Sequence, residues 1–186
     1  MQQPTLQTQR LILRPFQRSD APEVQRLAGD RAVADTTLAI PHPYEDGMAE
    51  EWIATHQPKF EAGELADFAI TLRDDGALVG AIGLAVNQRF DSAVLGYWIG
   101  VPFWNRGYCT EAAVAVIDYG FAELDLNRIH APHLMRNPAS GRVMEKAGMT
   151  REGVTRQSVK KWGRYEDLVL YGILREDWHD SGGGKA

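Results

Sequence analysis

The stretch Gly96-Tyr97-Trp98-Ile99-Gly100-Val101-Pro102-Phe103-Trp104-Asn105-Arg106-Gly107-Tyr108-Cys109-Thr110-Glu111 decides the fold. Its start reads as the end of a strand, residues 102–107 as a turn, and residues 108–124 as a helix rich in Ala, Val and Ile. Such a turn aims several backbone N–H groups at one spot, with the positive end of the helix behind them. That geometry suits a phosphate or pyrophosphate. Gly107 lets the backbone approach the anion with no side chain in the way. The stretch is neither a Walker loop nor the three-glycine dinucleotide fingerprint.

Upstream, residues 10–14 predict a first strand ended by Pro15, then a short helix to Ala28 capped by Ser19 or Asp20. Two prolines make residues 39–46 a loop. A second helix is expected over residues 45–61, disturbed near its end by Pro58. Three strands follow (67–72, 78–86 and 94–99), with Asp74-Asp75-Gly76 and the run 89–92 as their turns. They read as an antiparallel meander. Beyond the central helix come a strand at 128–134 and a helix at 138–147 stopped by Gly148. Strands at 152–160 and 165–173 close as a hairpin around Trp162-Gly163. The expectation is one domain over residues 1–178, with a flexible tail at 179–186.

The chain has 186 residues, enough to bury roughly 70% of the extended-chain surface without a metal or disulfide. With 44% hydrophobic and 24% charged residues it is ordinary globular material. Twenty Lys+Arg against 25 Asp+Glu leave a net charge of -5, without the basic surplus of a nucleic-acid binder. One cysteine excludes a disulfide framework or a Cys-rich zinc site. His130 and His133, three apart in a strand, point to opposite faces and do not share an ion, and no metal is expected. The longest apolar run, residues 78–86, is too short to span a bilayer, and the first nine residues lack the apolar core of a secretory signal. A soluble cytoplasmic protein, monomer or homodimer, is the expectation.

The order of elements, and the motifs in it, resemble the GNAT family of N-acetyltransferases, in particular its Rim-type ribosomal-protein N-terminal branch. The matching residues are Thr8-Gln9-Arg10-Leu11-Ile12-Leu13-Arg14, Gly96-Tyr97-Trp98-Ile99, and the run from Trp104 to Ala112. Further on come Asn137-Pro138-Ala139-Ser140 and the run from Arg142 to Met149. The resemblance covers about residues 8 to 175. It implies a mixed α+β fold, a mostly antiparallel seven-stranded twisted sheet flanked by about four helices and splayed between its fourth and fifth strands. Acetyl-CoA would lie in that gap as co-substrate, with its pantetheine arm on the backbone of Trp98 and Ile99. Its pyrophosphate would sit on the amides of Arg106, Gly107, Tyr108, Cys109 and Thr110, with Asn137 and Arg142 also on the cofactor. An open edge there makes Pro132 tolerable in its strand.

The implied activity is direct acetyl transfer to a primary amine, a protein or peptide N-terminus first and small amines (polyamines, amino acids, aminoglycosides) second. Rivals are an idle acyl-CoA-binding module and a transferase of longer acyl groups such as succinyl. A backbone N–H near Trp98 or Ile99 is the implied oxyanion donor. Ser140, with Asn137, is implied to serve the leaving thiolate, while Ser140 could equally cap the helix after Pro138, as could Asn137. Relatives often read Glu-Ile-Gly-Tyr-Trp where this chain has Val94-Leu95-Gly96-Tyr97-Trp98, and valine takes no proton. Candidate bases are His42, Tyr44, Asp91 and Glu111. Cys109 at a helix start could be a nucleophile, or simply a small residue facing the cofactor. Trp98 and Trp104 could wall the cleft, and Trp52, Trp162 and Trp178 read as core or interface aromatics. The acceptor pocket is expected from the loop at 38–45 and the last hairpin.

Overall fold

The structure is a computed structural model describing residues 3–180. Strands form where apolar alternation meets turn chemistry. The described residues contain β1 (Leu6–Gln7), β2 (Leu11–Arg14), β3 (Leu65–Leu72), β4 (Leu78–Asn87), β5 (Ser92–Ile99), β6 (Arg128–Leu134), β7 (Thr150–Lys161) and β8 (Arg164–Leu174). They make one mixed sheet in the order β1-β2-β3-β4-β5-β6-β8-β7. Every pairing is antiparallel except β5 with β6. Gly76 closes the β3–β4 hairpin and Gly163 the β7–β8 hairpin, both with positive φ.

The parallel pairing is short. It joins Ser92 to Arg128, Ala93 to Ile129 and Val94 to His130. Past these pairs the strands part, as the expected splay between the fourth and fifth long strands requires. Pro132 lies in the open part, where β6 pairs only with β8.

The helices are α1 (Ala21–Ala28), α2 (Arg31–Thr36), α3 (Met48–Ala54), α4 (His56–Glu61), α5 (Tyr108–Ala122), α6 (Pro138–Lys146) and α7 (Arg175–Asp180). On β3, Phe68 and Ile70 pack into the core under α5, with Val116, Ile117 and Phe121. Ala69 faces the other way, into the core formed with Val24 and Leu27 of α1 and Ile53 of α3. Each such large apolar side chain contributes about 2 kcal/mol by leaving water. By the same alternation Asp67 lies on the α1–α3 side of the sheet.

Four expectations need correction. The sheet has eight strands rather than seven, because a two-residue strand carries no periodicity to read. The described residues hold seven α-helices rather than about four, since α2 and α7 have six residues each. The helix expected over 45–61 is two helices parted at Thr55, because Pro58 has no N–H to continue the ladder. Asp20 does not cap α1 through its side chain. It takes a two-pronged bond from Arg14 at 2.7 and 2.8 Å, a charge-assisted contact that outweighs a cap. Of the tail expected at 179–186, residues 179 and 180 belong to α7, and 181–186 lie outside the described residues. Among the described residues no helix is long and apolar enough to cross a membrane.

Candidate active site

The chain after β5 makes a tight connection to α5. The Trp104 indole donates to the carbonyl of Ile99 at 2.6 Å. Asn105 and Gly107 then take the left-handed conformation, φ +61 and +80. Gly107 stands at the helix N-cap and supplies no side chain to the first turn. The amides that open a helix lack intrahelical partners, so those of Tyr108, Cys109 and Thr110 face the cleft with the helix dipole behind them.

This end of α5 is tied to the first strands. The carboxylate of Glu111 accepts from the Thr8 hydroxyl, the Arg10 amide and Nε of Arg10, each at 2.7 Å. Arg10 also donates to the carbonyl of Arg106 at 2.9 Å. Burial pushes the Glu111 carboxyl up, but these bonds outweigh it and hold it below its ordinary value. Glu111 is therefore a tether.

Asn137 caps α6, accepting from the Ser140 amide at 3.4 Å and donating to the Thr36 carbonyl at 3.3 Å. Ser140 is left free of capping. Its hydroxyl meets the Tyr97 hydroxyl at 2.9 Å, and Tyr97 also donates to the Ser140 carbonyl at 3.1 Å. This bond bridges the gap between β5 and α6. Burial pushes the Tyr97 phenol up, Cys109 adds to it, and the bond to Ser140 opposes both. Tyr97 is thus a neutral donor near pH 7. Burial likewise pushes the Cys109 thiol up, against the lowering expected from the helix end alone, and a thiol kept protonated is a poor nucleophile.

Trp98, Ile99, Gly107, Tyr108, Cys109, Thr110, Asn137, Ser140 and Arg142 line one cavity of about 360 Å³, and Trp104 walls it too. Arg106 does not line it, and its guanidinium lies 5.9 Å from the Phe103 ring centre. A second cavity of about 370 Å³ opens on the α3 side, lined by Leu38, Ala39, Ile40, Trp52, Asp67 and Val94 among others. Tyr97, Trp98 and Ser140 line both. The loop from Leu38 borders the second cavity, whereas the last hairpin borders a separate basin through Lys161, Trp162, Arg164 and Glu166.

None of the four candidate bases lines either cavity. His42 leans on the Trp162 ring, and burial, reinforced by Glu50, pushes the Tyr44 phenol up. Asp91 sits where β5 begins, at the paired end, its carbonyl accepting from Asn127.

Sequence reasoning missed Tyr97 as a side chain, although it stands inside the quoted motif. It also missed Asp67, which carried no signal at all. Burial lifts the Asp67 carboxyl to about 7, with Lys59 pulling down. Burial lowers His56 to about 4, and Lys59 adds to that. Their atoms approach to 3.5 Å. Both shifts run toward neutrality, so this contact is not an ion pair. His130 and His133 lie apart in role: His133 Nδ1 contacts the Leu134 carbonyl at 2.8 Å, and burial lowers His130. Among the described residues no three His, Cys, Asp or Glu side chains are grouped to hold a metal.

A family model of the acetyltransferase (GNAT) domain matches residues 10–150. The chain belongs to the GNAT acetyltransferase family. This GNAT protein is 32% identical over 172 residues to the uncharacterized N-acetyltransferase YnaD of Bacillus subtilis, covering 92% of this chain and 98% of YnaD. Its fold is similar to a GNAT-family acetyltransferase from Bacillus anthracis, with a TM-score of 0.82, 28% identity and coverage of 93% and 99% of the two chains. RimL, a ribosomal alpha-N-protein acetyltransferase solved with coenzyme A, shares the fold at a TM-score of 0.81 and 19% identity, covering 92% of this chain and 98% of RimL. This GNAT chain is an acetyl-CoA-dependent N-acetyltransferase.

Proposed function

We propose that this enzyme moves the acetyl group of acetyl-CoA to the N-terminal α-amine of a protein or peptide, by direct attack with both substrates bound. The observation that carries this reading is the meeting of the two cavities at Tyr97, Trp98 and Ser140. The first cavity suits the cofactor. Uncapped amides from Tyr108 to Thr110 would receive the pyrophosphate, Arg142 would add charge from α6, and the open edge of β5 would take the pantetheine arm. The acceptor amine would enter through the second cavity.

At the junction the amine lone pair attacks the acetyl carbon and the carbon–sulfur bond breaks. The Ser140 hydroxyl, bonded to Tyr97, gives a proton to the departing sulfur, and Asn137 holds the start of α6 that carries Ser140. Acceptor choice follows from proton cost. Deprotonating a lysine ammonium at pH 7 costs about 4.6 kcal/mol, and an α-ammonium about 1–1.4 kcal/mol.

The test is release of CoA thiol from acetyl-CoA with three pools: peptides with free α-amines, N-blocked lysine peptides, and small polyamines. Fastest turnover with the first pool is expected. Faster turnover of lysine peptides or polyamines would overturn the α-amine assignment.

A further inference from the structure

Asp67, Gly83 and Gly96 form one cross-strand row, Asp67 paired with Gly83 and Gly83 with Gly96. Side chains of such a row stand on the same face of the sheet, so two glycines leave it bare from Asp67 to the cleft. A Cβ built on Gly83 would collide with Oδ1 of Asp67, which places the carboxylate over the glycine and leaning toward β5. A Cβ on Gly96 would meet nothing within 4 Å. The row therefore opens into the second cavity, whose wall includes Asp67, Gly83, Gly96, Trp98 and Ser140.

The Asp67 side chain does little for the fold. The Asp67 carbonyl accepts from Gln3 Nε2 at 2.7 Å. Its carboxylate has only His56 Nε2, at 3.5 Å, within ion-pair range among the described residues. That distance is too long for a firm hydrogen bond, and both His56 nitrogens are without partners. A half-buried carboxylate that no firm donor holds adds little to folding and calls for a functional reason.

The geometry points to Asp67 as the group that receives the acceptor ammonium and takes its proton before attack. This rests on the amine-acetylating reading above. The ammonium passes one proton to an Asp67 oxygen and becomes a neutral amine. The amine forms the carbon–nitrogen bond as the carbon–sulfur bond breaks. Its second proton replaces the one that Ser140 and Tyr97 give to sulfur, and the Asp67 proton leaves to solvent. A carboxyl near 7 lies about one unit below an α-ammonium and more than three below a lysine ammonium, so the transfer suits the α-amine.

The groups facing Asp67 are few. His56 and Lys59 come from α4, and His133 lines the cavity from β6. Arg14 on β2, one row away on the same face, is engaged by Asp20. On that face β4 and β5 present no titratable side chain.

The test compares the parent with Asp67→Asn, as CoA-thiol release from pH 6 to 9 with peptide and small-amine acceptors. Acetyl-CoA affinity, and affinity of a primary amine for the CoA-loaded protein, are measured by calorimetry. In Asp67→Asn, kcat/KM for the amine is expected to fall about 100-fold or more. The acidic limb near pH 7 disappears, amine affinity falls roughly tenfold, and acetyl-CoA affinity stays within about twofold. Gly96→Ala puts a methyl into open space on the row, and should raise KM for the amine while acetyl-CoA binding holds. Parent-like kcat/KM with the limb retained overturns the assignment. So does loss of acetyl-CoA affinity together with activity in Asp67→Asn, which would mark a structural role. A parent that acetylates small amines but no peptide removes the α-amine reading and leaves the Asp67 comparison intact. If the parent acetylates nothing, the acetyl-transfer reading falls first, and amine binding to the CoA-loaded protein still decides Asp67.

Discussion

The two cavities that meet at Tyr97 and Ser140 are built by opposite means. The one beside α5 draws mainly on one continuous stretch, residues 97–110, and on the start of α6. Its polar equipment is largely backbone, the amides that open α5, and the stretch that supplies them has a recognisable order of residues. The one beside α3 collects Leu38, Trp52, Asp67, Val94 and His133 from distant parts of the chain. Its polar equipment is side chains, placed by pairing between strands. A site that reads its ligand with backbone leaves a local sequence trace, whereas one assembled from distant side chains leaves none.

The sharpest way to break that contrast is at the junction. Tyr97 and Ser140 share one hydrogen bond and, in the mechanism proposed above, one proton path, so single substitutions should be partly covered by the surviving hydroxyl. Tyr97→Phe or Ser140→Ala alone is expected to lower kcat about 10-fold, and the two together about 10²–10³-fold. Acetyl-CoA affinity should hold in all three. Steady-state kinetics decide it: a Ser140→Ala variant already as slow as the double variant would show that Tyr97 is no second donor.

On the side-chain-built half, Asp67 should impair stability above neutral pH. Its folded-state value of about 7 exceeds the ordinary 3.8, so the folded state holds an extra proton between pH 4 and 7, and stability falls as pH rises through that window. His56, at about 4 against 6.5, does the reverse: the unfolded state holds the extra proton, and stability rises with pH between 4 and 6.5. The two slopes offset each other in the parent. Asp67→Asn removes the falling one, and at pH 8 the variant should be more stable by up to about 4 kcal/mol. Below pH 6.5 it should lose stability as the medium is acidified. Urea midpoints at pH 5 and 8 test this, and equal midpoints for both proteins at pH 8 would refute it.

The backbone-built half should respond more mildly. Glu111→Gln weakens three bonds that hold α5 to the turn between β1 and β2. A loss of about 1–2 kcal/mol is expected in urea unfolding, with kcat little changed, since Glu111 lines neither cavity. A large fall in kcat at unchanged stability would return Glu111 to the candidate bases. The smallest effect belongs to Gly107→Ala. At φ +80 the methyl is strained by about 1 kcal/mol, and it lies 3.3 Å from an Arg10 nitrogen. A roughly fivefold weaker acetyl-CoA affinity is the expected calorimetric result, and an unchanged affinity would move the pyrophosphate away from this turn.

How far the chain could be read tracks this division. The strands around Asp74-Asp75-Gly76 and Trp162-Gly163 were legible because alternation and turn residues are local signals. The helix of Tyr108 was legible because its glycine and its apolar run adjoin. The break at Thr55 was half legible, because Pro58 signals a disturbance without fixing where the helix divides. The β1 pairing was not legible, since two residues have no period. Asp20 was misread because the competing partner, Arg14, is a neighbour only once the chain has turned at Pro15.

By itself the sequence determined the order of the longer elements and the motif that identifies the acetyltransferase family. These depend on residues within a few positions of one another, where steric and hydrogen-bonding preferences act directly. Only the tertiary structure decided which carboxylate lines the cavity beside α3. Val94 and Asp67 stand on the same face of the sheet, but 27 positions apart in the chain, and that relation exists only after β3, β4 and β5 have paired in register. Burial, which gives Asp67 and His56 their altered proton affinities, is a property of the packed sheet and its helices, and no single stretch of sequence carries it.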